Sequence, residues 1–254
     1  MITQNKKVIY TALFGERGKL TEPAYLPKGW DFICFTDRDN VSSKNWKIIK
    51  KDSLFEGNPR KSAKIFKILP HRHLAEYERS LWIDANLLLR GDINDLVCEH
   101  KKDVFVAYSH AESKPDSRDC VYEELDALLA MNAKGRNRDN DKVMISQIDR
   151  YKEEGYPKEN GLIVGMFLLR KHNDPLVKKT MEDWWQEIES NSIRDQLSFN
   201  YTAWKSGLGI TYLKGDSRDN AYVSYSPHVR IGLSKRINKK IKDIRYKIFS
   251  YIFY

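Results

Sequence analysis

Two oxygen-bearing side chains interrupt the apolar stretch LWIDANLLLRGD at residues 81–92. Asp84 and Asn86 are two residues apart, and on an extended segment side chains at this spacing project to the same side. A carboxylate and an amide oxygen placed together can hold one hard divalent cation such as Mg²⁺ or Mn²⁺. A cation there would neutralise charge on a diphosphate leaving group. The alternative is a strand end with an Asx turn and no ion, because this spacing is frequent by chance.

A second polar group is the consecutive trio Arg194, Asp195 and Gln196, within the sequence SIRDQLSFNY at residues 192–201. Arginine offers a fork for phosphate or carboxylate, aspartate accepts hydroxyl hydrogens, and glutamine both donates and accepts. Such a trio suits a sugar or a sugar phosphate. The alternative is a helix N-terminus in which Ser192 is the cap and Asp195 completes a capping box.

A basic run near an expected helix start supplies further candidates. Arg60, Lys61, Lys64 and Lys67 all lie in residues 59–67. They could contact an anionic nucleotide, assisted by the amides of the helix N-terminus. A solvated helix face is the alternative reading of the same run.

A polar loop after an expected strand, residues 109–124, contains His110, Arg118 and Glu123. Polar loops of this length at strand ends are often functional, and a glutamate there could act as a base or hold an acceptor hydroxyl. Acidic residues are also favoured in the first turn of a helix, which is the alternative. His228, in a later loop, is a candidate third metal ligand and otherwise a surface histidine.

Alternating strands and helices must position these side chains. Strands are expected at residues 6–15, 31–37, 79–89, 103–110, 161–170 and 209–213, and helices at 58–74 (bent or ended at Pro70), 120–133, 143–155, 174–190 and 194–207. Residues 161–170 are apolar on both faces, which predicts a central strand. The alternation predicts one α/β domain with a largely parallel sheet, whose ligands bind beyond the carboxyl ends of the strands. Asp37, Asp84, Asn86 and His110 lie at or just past such ends.

The composition indicates a globular protein rather than a disordered one. The chain has 254 residues, of which 41% are hydrophobic and 12% aromatic, which is enough for a substantial core. The longest apolar run, residues 162–169, is far shorter than the roughly 20 residues of a membrane span, and no signal-peptide pattern is visible. The three cysteines form no CxxC pattern, so neither a disulfide framework nor a zinc site is expected, and a reducing cytoplasm is the simplest location.

The net charge of +9 is concentrated at the C-terminal end. Residues 233–254 carry seven Lys/Arg and one Asp, which leaves the remainder of the chain near balance. Five isoleucines recur there at helical spacing, with basic residues between them and aromatic residues at the end. This pattern predicts a basic amphipathic helix on an anionic membrane surface, and a helix docked on the parent domain or on a partner subunit is the alternative. Nucleic acid is not expected as a partner, because no known binding motif accompanies the charge.

Taken together, the segments resemble a known family, the glycosyltransferase-like domain of plant mucilage-related and turgor-regulation proteins and of bacterial surface-polysaccharide clusters. The matching segments are YTALFG, WDFICFTD, RKSAKIFKILPH, LWIDANLLLRGD, RDCVYEE, QIDRYKEEGYP, GLIVGMFLLRKHN, WWQEI and RDQLSFNY, in the family's order and over most of residues 7–213. The resemblance implies a GT-A fold with a mixed, mostly parallel sheet in residues 1–230 and a separate tail at 231–254. It also implies a nucleotide-sugar donor, with UDP-hexose favoured, a Mn²⁺ or Mg²⁺ cofactor, and a saccharide or glycolipid acceptor.

The same resemblance assigns roles to individual residues. Asp84 and Asn86 take the position of the family's metal-binding DxD, with His228 as a further ligand. Asp195 and Gln196, next to Arg194, take the position that holds the donor sugar, with Glu123 as a further catalytic candidate. By this comparison Thr11, Leu13 and Asp37 would border the base and ribose, and Lys61 and Lys64 would face the phosphates. His110 and Arg118, from the polar loop at residues 109–124, are further candidates for contacts with the nucleotide. Retention of anomeric configuration follows only from a more distant similarity to galactosyltransferases of lipopolysaccharide synthesis.

Two functional readings remain open from the sequence. The first is hexose transfer in surface-polysaccharide synthesis by an enzyme on the inner face of the cell membrane. The second is an inactive nucleotide-sugar or carbohydrate-binding module of a polysaccharide-synthesis complex, which the amide of Asn86 favours because the family motif has a carboxylate there. A lipid amidase is disfavoured, because the sequence has no GxSxG motif and no metallohydrolase cluster.

Overall fold

The computed structural model of the chain describes residues 6–225. The strands are β1 (Lys7–Leu13), β2 (Trp30–Thr36), β3 (Lys47–Lys50), β4 (Arg79–Ile83), β5 (Leu87–Leu89), β6 (Phe105–Ser109), β7 (Ile163–Arg170), β8 (Thr211–Leu213) and β9 (Val223–Tyr225). The helices are α1 (Pro59–Ile68), α2 (Asn94–Glu99), α3 (Val121–Ala133), α4 (Asp141–Glu153), α5 (Pro175–Ser190) and α6 (Asp195–Ser206). No helix within these residues is long and apolar enough to cross a membrane.

Seven strands form the central sheet in the order β3-β2-β1-β4-β7-β6-β8, and β5 pairs with β9 in a small second sheet. Strand β7 runs antiparallel to β4 and to β6, whereas the other pairs of the central sheet are parallel. The predicted α/β fold with a mixed, mostly parallel sheet is therefore confirmed. The predicted C-terminal amphipathic helix lies outside the described residues.

Side-chain alternation along the strands builds two cores, one on each face of the central sheet. Val8 and Tyr10 of β1 belong to the face covered by α1, α5 and α6, whereas Ile9 and Leu13 belong to the face covered by α2 and the small sheet. A third cluster joins α3, α4 and α6. Strand β7 contributes to both sheet faces, which agrees with the central position predicted from its apolar pattern.

The structure departs from the prediction at residues 79–89, which are not one strand. Strand β4 ends at Ile83, and a turn closed by the hydrogen bond from Leu87 N to Asp84 O (2.8 Å) separates it from β5. Asp84 and Asn86 therefore share a turn rather than one side of an extended segment. The short elements β3, α2 and β9 were also absent from the prediction.

Candidate active site

A cavity of about 520 Å³ opens at the carboxyl edge of the central sheet. The strand order reverses between β1 and β4, and in α/β sheets the crevice beyond such a reversal is the usual ligand site. Residues at the ends of β1 and β4 line the cavity, together with the first two turns of α1, the early part of β7 and residues 193–196. The fold therefore brings the turn at Asp84 and the start of α6 to the same space.

The turn after β4 presents two oxygens that suit a cation. Trp82 Nε1 donates to Asp84 Oδ1 at 2.9 Å, which orients the carboxylate, and both Asp84 and Asn86 line the cavity. Within residues 6–225, Oδ1 of Asn86 is buried and has no hydrogen-bond partner. A buried acceptor without a donor is costly unless a ligand satisfies it. This donor set, one carboxylate and one unsatisfied amide oxygen, fits a hard divalent ion.

Asp195 is held by two lysines from α1. The side chain is 10% exposed, and its carboxylate forms an ion pair of 3.0 Å with Lys64 Nζ and a shorter contact with Lys67 Nζ. Gly165 of β7 faces this pair, because a Cβ there would lie 2.7 Å from Lys67 Nζ and 3.3 Å from Asp195 Oδ2. Any side chain at residue 165 would therefore displace the Lys67 ammonium from its contact with Asp195.

The charges of this group set its protonation. Burial alone would raise the pKa of Asp195, but the positive charges of two lysines and Arg194 outweigh burial and hold the pKa well below its usual range. Burial lowers the pKa of Lys64 to about 8, a shift that the charge of Asp195 opposes and that of Lys67 assists. Asp195 is therefore an anion at any physiological pH, whereas Lys64 titrates just above neutrality.

The segment before α6 is fixed by contacts other than the capping box considered from the sequence. Helix α6 begins at Asp195, Arg194 is its N-cap without a side-chain bond, and Ser192 N donates to Gln147 Oε1 at 3.3 Å. Asp139 Oδ2 accepts from Ser192 Oγ (2.6 Å) and from the backbone N of Ile193 (2.9 Å). The carboxylate of Asp195 is thereby left to the lysines of α1.

Gln196 also lines the cavity. Its Nε2 donates to the carbonyl oxygen of Ile163 at 3.0 Å, which ties the side chain to the first residue of β7. Trp184 Nε1 donates to Asp195 O and to Ser198 Oγ, both at 3.1 Å. The first turn of α6 is therefore anchored on both sides.

The loop at residues 109–124 supports the site from outside the cavity. Buried Glu124 pairs with Arg118 Nε at 2.7 Å and lies 3.9 Å from Arg194 Nη2, and Arg118 Nη2 contacts His110 Nε2 at 2.8 Å. Burial raises the pKa of Glu124, and the two arginines oppose that rise. Burial, with the charge of Arg118, lowers the pKa of His110 to about 4, so this imidazole is neutral. His110 and Arg118 thus brace Arg194 and do not line the cavity.

Glu123, the catalytic candidate of this loop, is not brought to the cavity. It is exposed, and its Oε2 accepts from the backbone N of Asp119 at 2.9 Å, which is a helix-start contact. Its ligand atom lies within 4.8 Å of those of partly exposed Asp119 and buried Cys120, a group whose atom types can bind a metal ion. The sequence does not indicate which of the adjacent residues Glu123 and Glu124 is buried, and the structure shows that it is Glu124.

Only some of the residues expected to contact the nucleotide line the cavity. Leu13 and Lys64 line the cavity, whereas Thr11 is fully buried within β1. Lys61 turns away, with its Nζ 4.6 Å from the centre of the Phe55 ring and 3.4 Å from Glu189 O.

Asp37 acts on the loop after β1. Both of its carboxylate oxygens accept from Gly15 N, at 3.0 and 3.1 Å. Gly15 has a φ of +67°, and a Cβ there would lie 2.7 Å from Pro59, so the loop approaches α1 closely. Asp37 therefore shapes the cavity rim without being among the lining residues, and the predicted His228 lies outside the described residues.

Several lining residues were not singled out from the sequence, notably Arg17, Arg138 and Gly165. Helical spacing could have refined the basic run, because Arg60, Lys64 and Lys67 fall at i, i+4 and i+7 on one face of α1. Lys61 lies off that face. No local signal marks Gly165, whose role depends on side chains from two distant segments.

Comparison with known proteins agrees with the resemblance seen in the sequence. The model of the TOD1/MUCI70, glycosyltransferase-like domain matches residues 2–211. A curated relative, "Probable hexosyltransferase MUCI70" of Arabidopsis thaliana, is 27% identical over 167 residues, which are 61% of this chain. The chain spans only 27% of the length of that relative.

Among solved structures, the mouse xyloside xylosyltransferase 1 in its apo form aligns with a TM-score of 0.44 and 12% identity. The alignment covers 82% of this chain and 84% of that one. The family match, by contrast, extends over most of the sequence and over nearly all of the described fold. The chain therefore belongs to the TOD1/MUCI70 glycosyltransferase-like domain family.

Proposed function

We propose that this chain transfers a hexose from a nucleotide sugar, with UDP-hexose favoured, to an acceptor hydroxyl. The observation that carries the proposal is the convergence of Asp84 and Asn86 with Asp195 and Gln196 on one cavity at the strand-order reversal. Family membership supports the same reaction class.

The charge of the cavity supports a diphosphate-bearing substrate. Its lining side chains include six cationic groups and two anionic ones. The cations are Arg17, Arg60, Lys64, Lys67, Arg138 and Arg194, and the anions are Asp84 and Asp195. A cleft dominated by one sign of charge concentrates ligands of the opposite sign.

Different residues of the cavity would have different roles in this reaction. Asp84 and Asn86 would hold Mn²⁺ or Mg²⁺, which would supply charge neutralisation on the departing diphosphate. Lys64, protonated below about pH 8, adds a positive charge beside that leaving group. Asp195 is a poor general base because its pKa is depressed, so its role is to accept sugar hydroxyl hydrogens and to stabilise positive charge at the anomeric carbon.

The proposal is tested by the turnover of UDP-hexoses with and without Mn²⁺, measured as release of UDP. Asp84→Ala should reduce turnover at least a hundredfold while the melting temperature stays close to that of the unaltered chain. Asp126→Ala, which removes an exposed carboxylate on α3, is the matched control. Unchanged turnover in Asp84→Ala would remove the cation from the mechanism.

An inactive binding module is the second candidate, and Asn86 is the observation that favours it. A module of this kind would show a rise in melting temperature with UDP-hexose, because a ligand that binds only the folded state stabilises it, but no turnover with any donor or acceptor. Turnover that depends on Asp84 excludes this candidate.

We further propose a surface saccharide or glycolipid as acceptor and attachment to the inner face of the membrane through residues 233–254. The charge and the isoleucine spacing of that segment support the membrane part of the proposal. Co-sedimentation of the full chain with anionic but not with zwitterionic vesicles is the expected result. Equal sedimentation with both would contradict it.

A further inference from the structure

The cationic face of α1 runs from the floor of the cavity to its mouth. Lys67 is buried, Lys64 is partly exposed, and Arg60, in the first turn of the helix, is exposed. These positions span about 10 Å along the helix axis at about 1.5 Å per residue. The two deeper residues are paired with Asp195, whereas within residues 6–225 Arg60 has no ion pair. Of the three cationic residues on this face, only Arg60, at the mouth of the cavity, is not paired with a carboxylate in the described part of the chain.

Arginines from two other segments join Arg60 at this end. Arg138, from the loop between α3 and α4, lines the cavity together with Arg194. The Nε atoms of both are buried and have no hydrogen-bond partner within the described chain. Burial lowers the pKa of Arg138, and repulsion from Arg194, exposed Arg136 and Arg60 adds to that lowering. These groups repel one another and have unused donors, which is the environment of an anion site.

The nearest carboxylates do not neutralise this group. Asp139, adjacent to Arg138, uses its oxygens to accept from Ser192 Oγ and from backbone amides of Ile193 and Asn140. Glu124 is paired with Arg118 at 2.7 Å and reaches Arg194 only at 3.9 Å. Within residues 6–225 the arginine group, defined here as Arg60, Arg138 and Arg194, forms one ion pair, the 3.9 Å contact of Arg194 with Glu124, and the charges of Glu124 and Asp195 offset only part of its positive charge.

We infer that the acceptor is an anionic saccharide, whose carboxylate or phosphate binds the arginine group at the cavity mouth. This inference rests on the proposed function. The six cationic side chains of the cavity outnumber its two carboxylates, and a divalent cation would itself offset much of the charge of the donor diphosphate, so positive charge remains for a second anion after the donor has bound. The floor is closed by Lys67 and Trp82, so a second substrate enters from the mouth, past Arg60.

The test uses the full chain with saturating UDP and Mg²⁺, which is diamagnetic, and three probes: methyl glucuronide, glucose 6-phosphate and the neutral methyl glucoside. Binding is measured by NMR titration. We expect the two anionic probes to bind at least tenfold more tightly than the neutral one, and added salt to reduce that difference. Binding of both anionic probes supports any anionic acceptor, and binding of glucose 6-phosphate alone supports a phosphorylated one.

The double variant Arg60→Gln/Arg138→Gln should lower the affinity for the anionic probes about tenfold and change that for methyl glucoside less than twofold. Lys158→Gln, which removes an exposed charge outside the cavity lining, is the control. Equal binding of charged and neutral probes by the unaltered chain overturns the inference. A larger loss of affinity for UDP than for methyl glucuronide in the double variant also overturns it, because the arginines would then serve the donor.

A separate UDP titration distinguishes failure of this inference from failure of the proposed function. If UDP and UDP-hexoses do not bind, but methyl glucuronide binds in an arginine-dependent manner, the transferase proposal fails and the anionic saccharide site stands. If UDP binds and donors turn over without preference for anionic probes, the transferase proposal stands and the acceptor inference fails.

Discussion

Gly165→Ala should disable the site without unfolding the protein. The added Cβ would lie 2.7 Å from Lys67 Nζ, and ordinary contact begins at about 3.4 Å, so the ammonium must move by about 0.7 Å. The same Cβ would lie 3.3 Å from Asp195 Oδ2, so the carboxylate cannot follow the lysine freely. Because the displaced atom ends a flexible side chain, the loss of folding free energy should be about 1 kcal/mol or less, or about 2–4 °C in Tm.

The effect on turnover should be much larger. A misplacement of about 1 Å in a catalytic group can cost about a hundredfold in rate, so a shift of this size predicts a ten- to hundredfold fall in kcat. The assay is release of UDP from the most active UDP-hexose, with Tm measured on the same samples. Gly209→Ala is the matched control, since a Cβ at Gly209 meets nothing within 4 Å. Full turnover in Gly165→Ala would refute the view that the Lys67–Asp195 contact positions the carboxylate.

Three further predictions follow from individual contacts. Lys64→Arg should move the alkaline fall of kcat/KM to a pH more than one unit higher. The reason is that burial lowers the pKa of Lys64 to about 8, whereas a guanidinium stays charged beyond about pH 12. If the alkaline fall stays at the same pH in this variant, a group other than Lys64 causes it. Asn86→Asp should lower the Mn²⁺ concentration for half-maximal turnover several-fold, since a carboxylate binds this ion more strongly than an amide; no change would show that Asn86 is not a ligand. Asp139→Ala should reduce the free energy of unfolding by about 2–3 kcal/mol in urea titration, because the two partly buried hydrogen bonds from Ser192 and Ile193 to this carboxylate are lost together with an exposed one from Asn140; an unchanged midpoint would mean that the segment before α6 is fixed by other contacts.

The sequence was sufficient to predict a helix or strand where neighbouring residues alone determine it. The start of α5 is an example, because the helix expected at residues 174–190 begins with an Asp-Pro pair, and in the structure Asp174 accepts from the backbone N of Leu176 and Val177 while Pro175 occupies the first turn. Strand β7 was recognisable as central from its two apolar faces. By contrast, β3 has only four residues and lysines at both ends, so its pattern does not differ from that of a polar loop.

The site depended on contacts that no window of sequence contains. Asp195 and Lys67 are 128 residues apart, and their contact decides against the capping box that the local pattern allows. The sequence offered the turn at Asp84 only as an alternative to one continuous strand, since Leu87–Leu89 continues the apolar run although it pairs with Val223–Tyr225 in another sheet. Of the four polar residues expected at strand ends, Asp84 and Asn86 line the cavity, whereas Asp37 and His110 are not among its lining residues.

The small sheet has a practical consequence for how the chain is handled in binding experiments. Tyr225, the last described residue, pairs with Leu87, which directly follows Asn86, so any fusion attached directly after residue 225 begins beside the turn that contains Asp84 and Asn86. Strand β1, by contrast, starts at Lys7 on the edge of the sheet opposite the cavity. Affinity tags and surface immobilisation through the N-terminal end therefore enter the described fold at the end of β1 that lies away from the cavity.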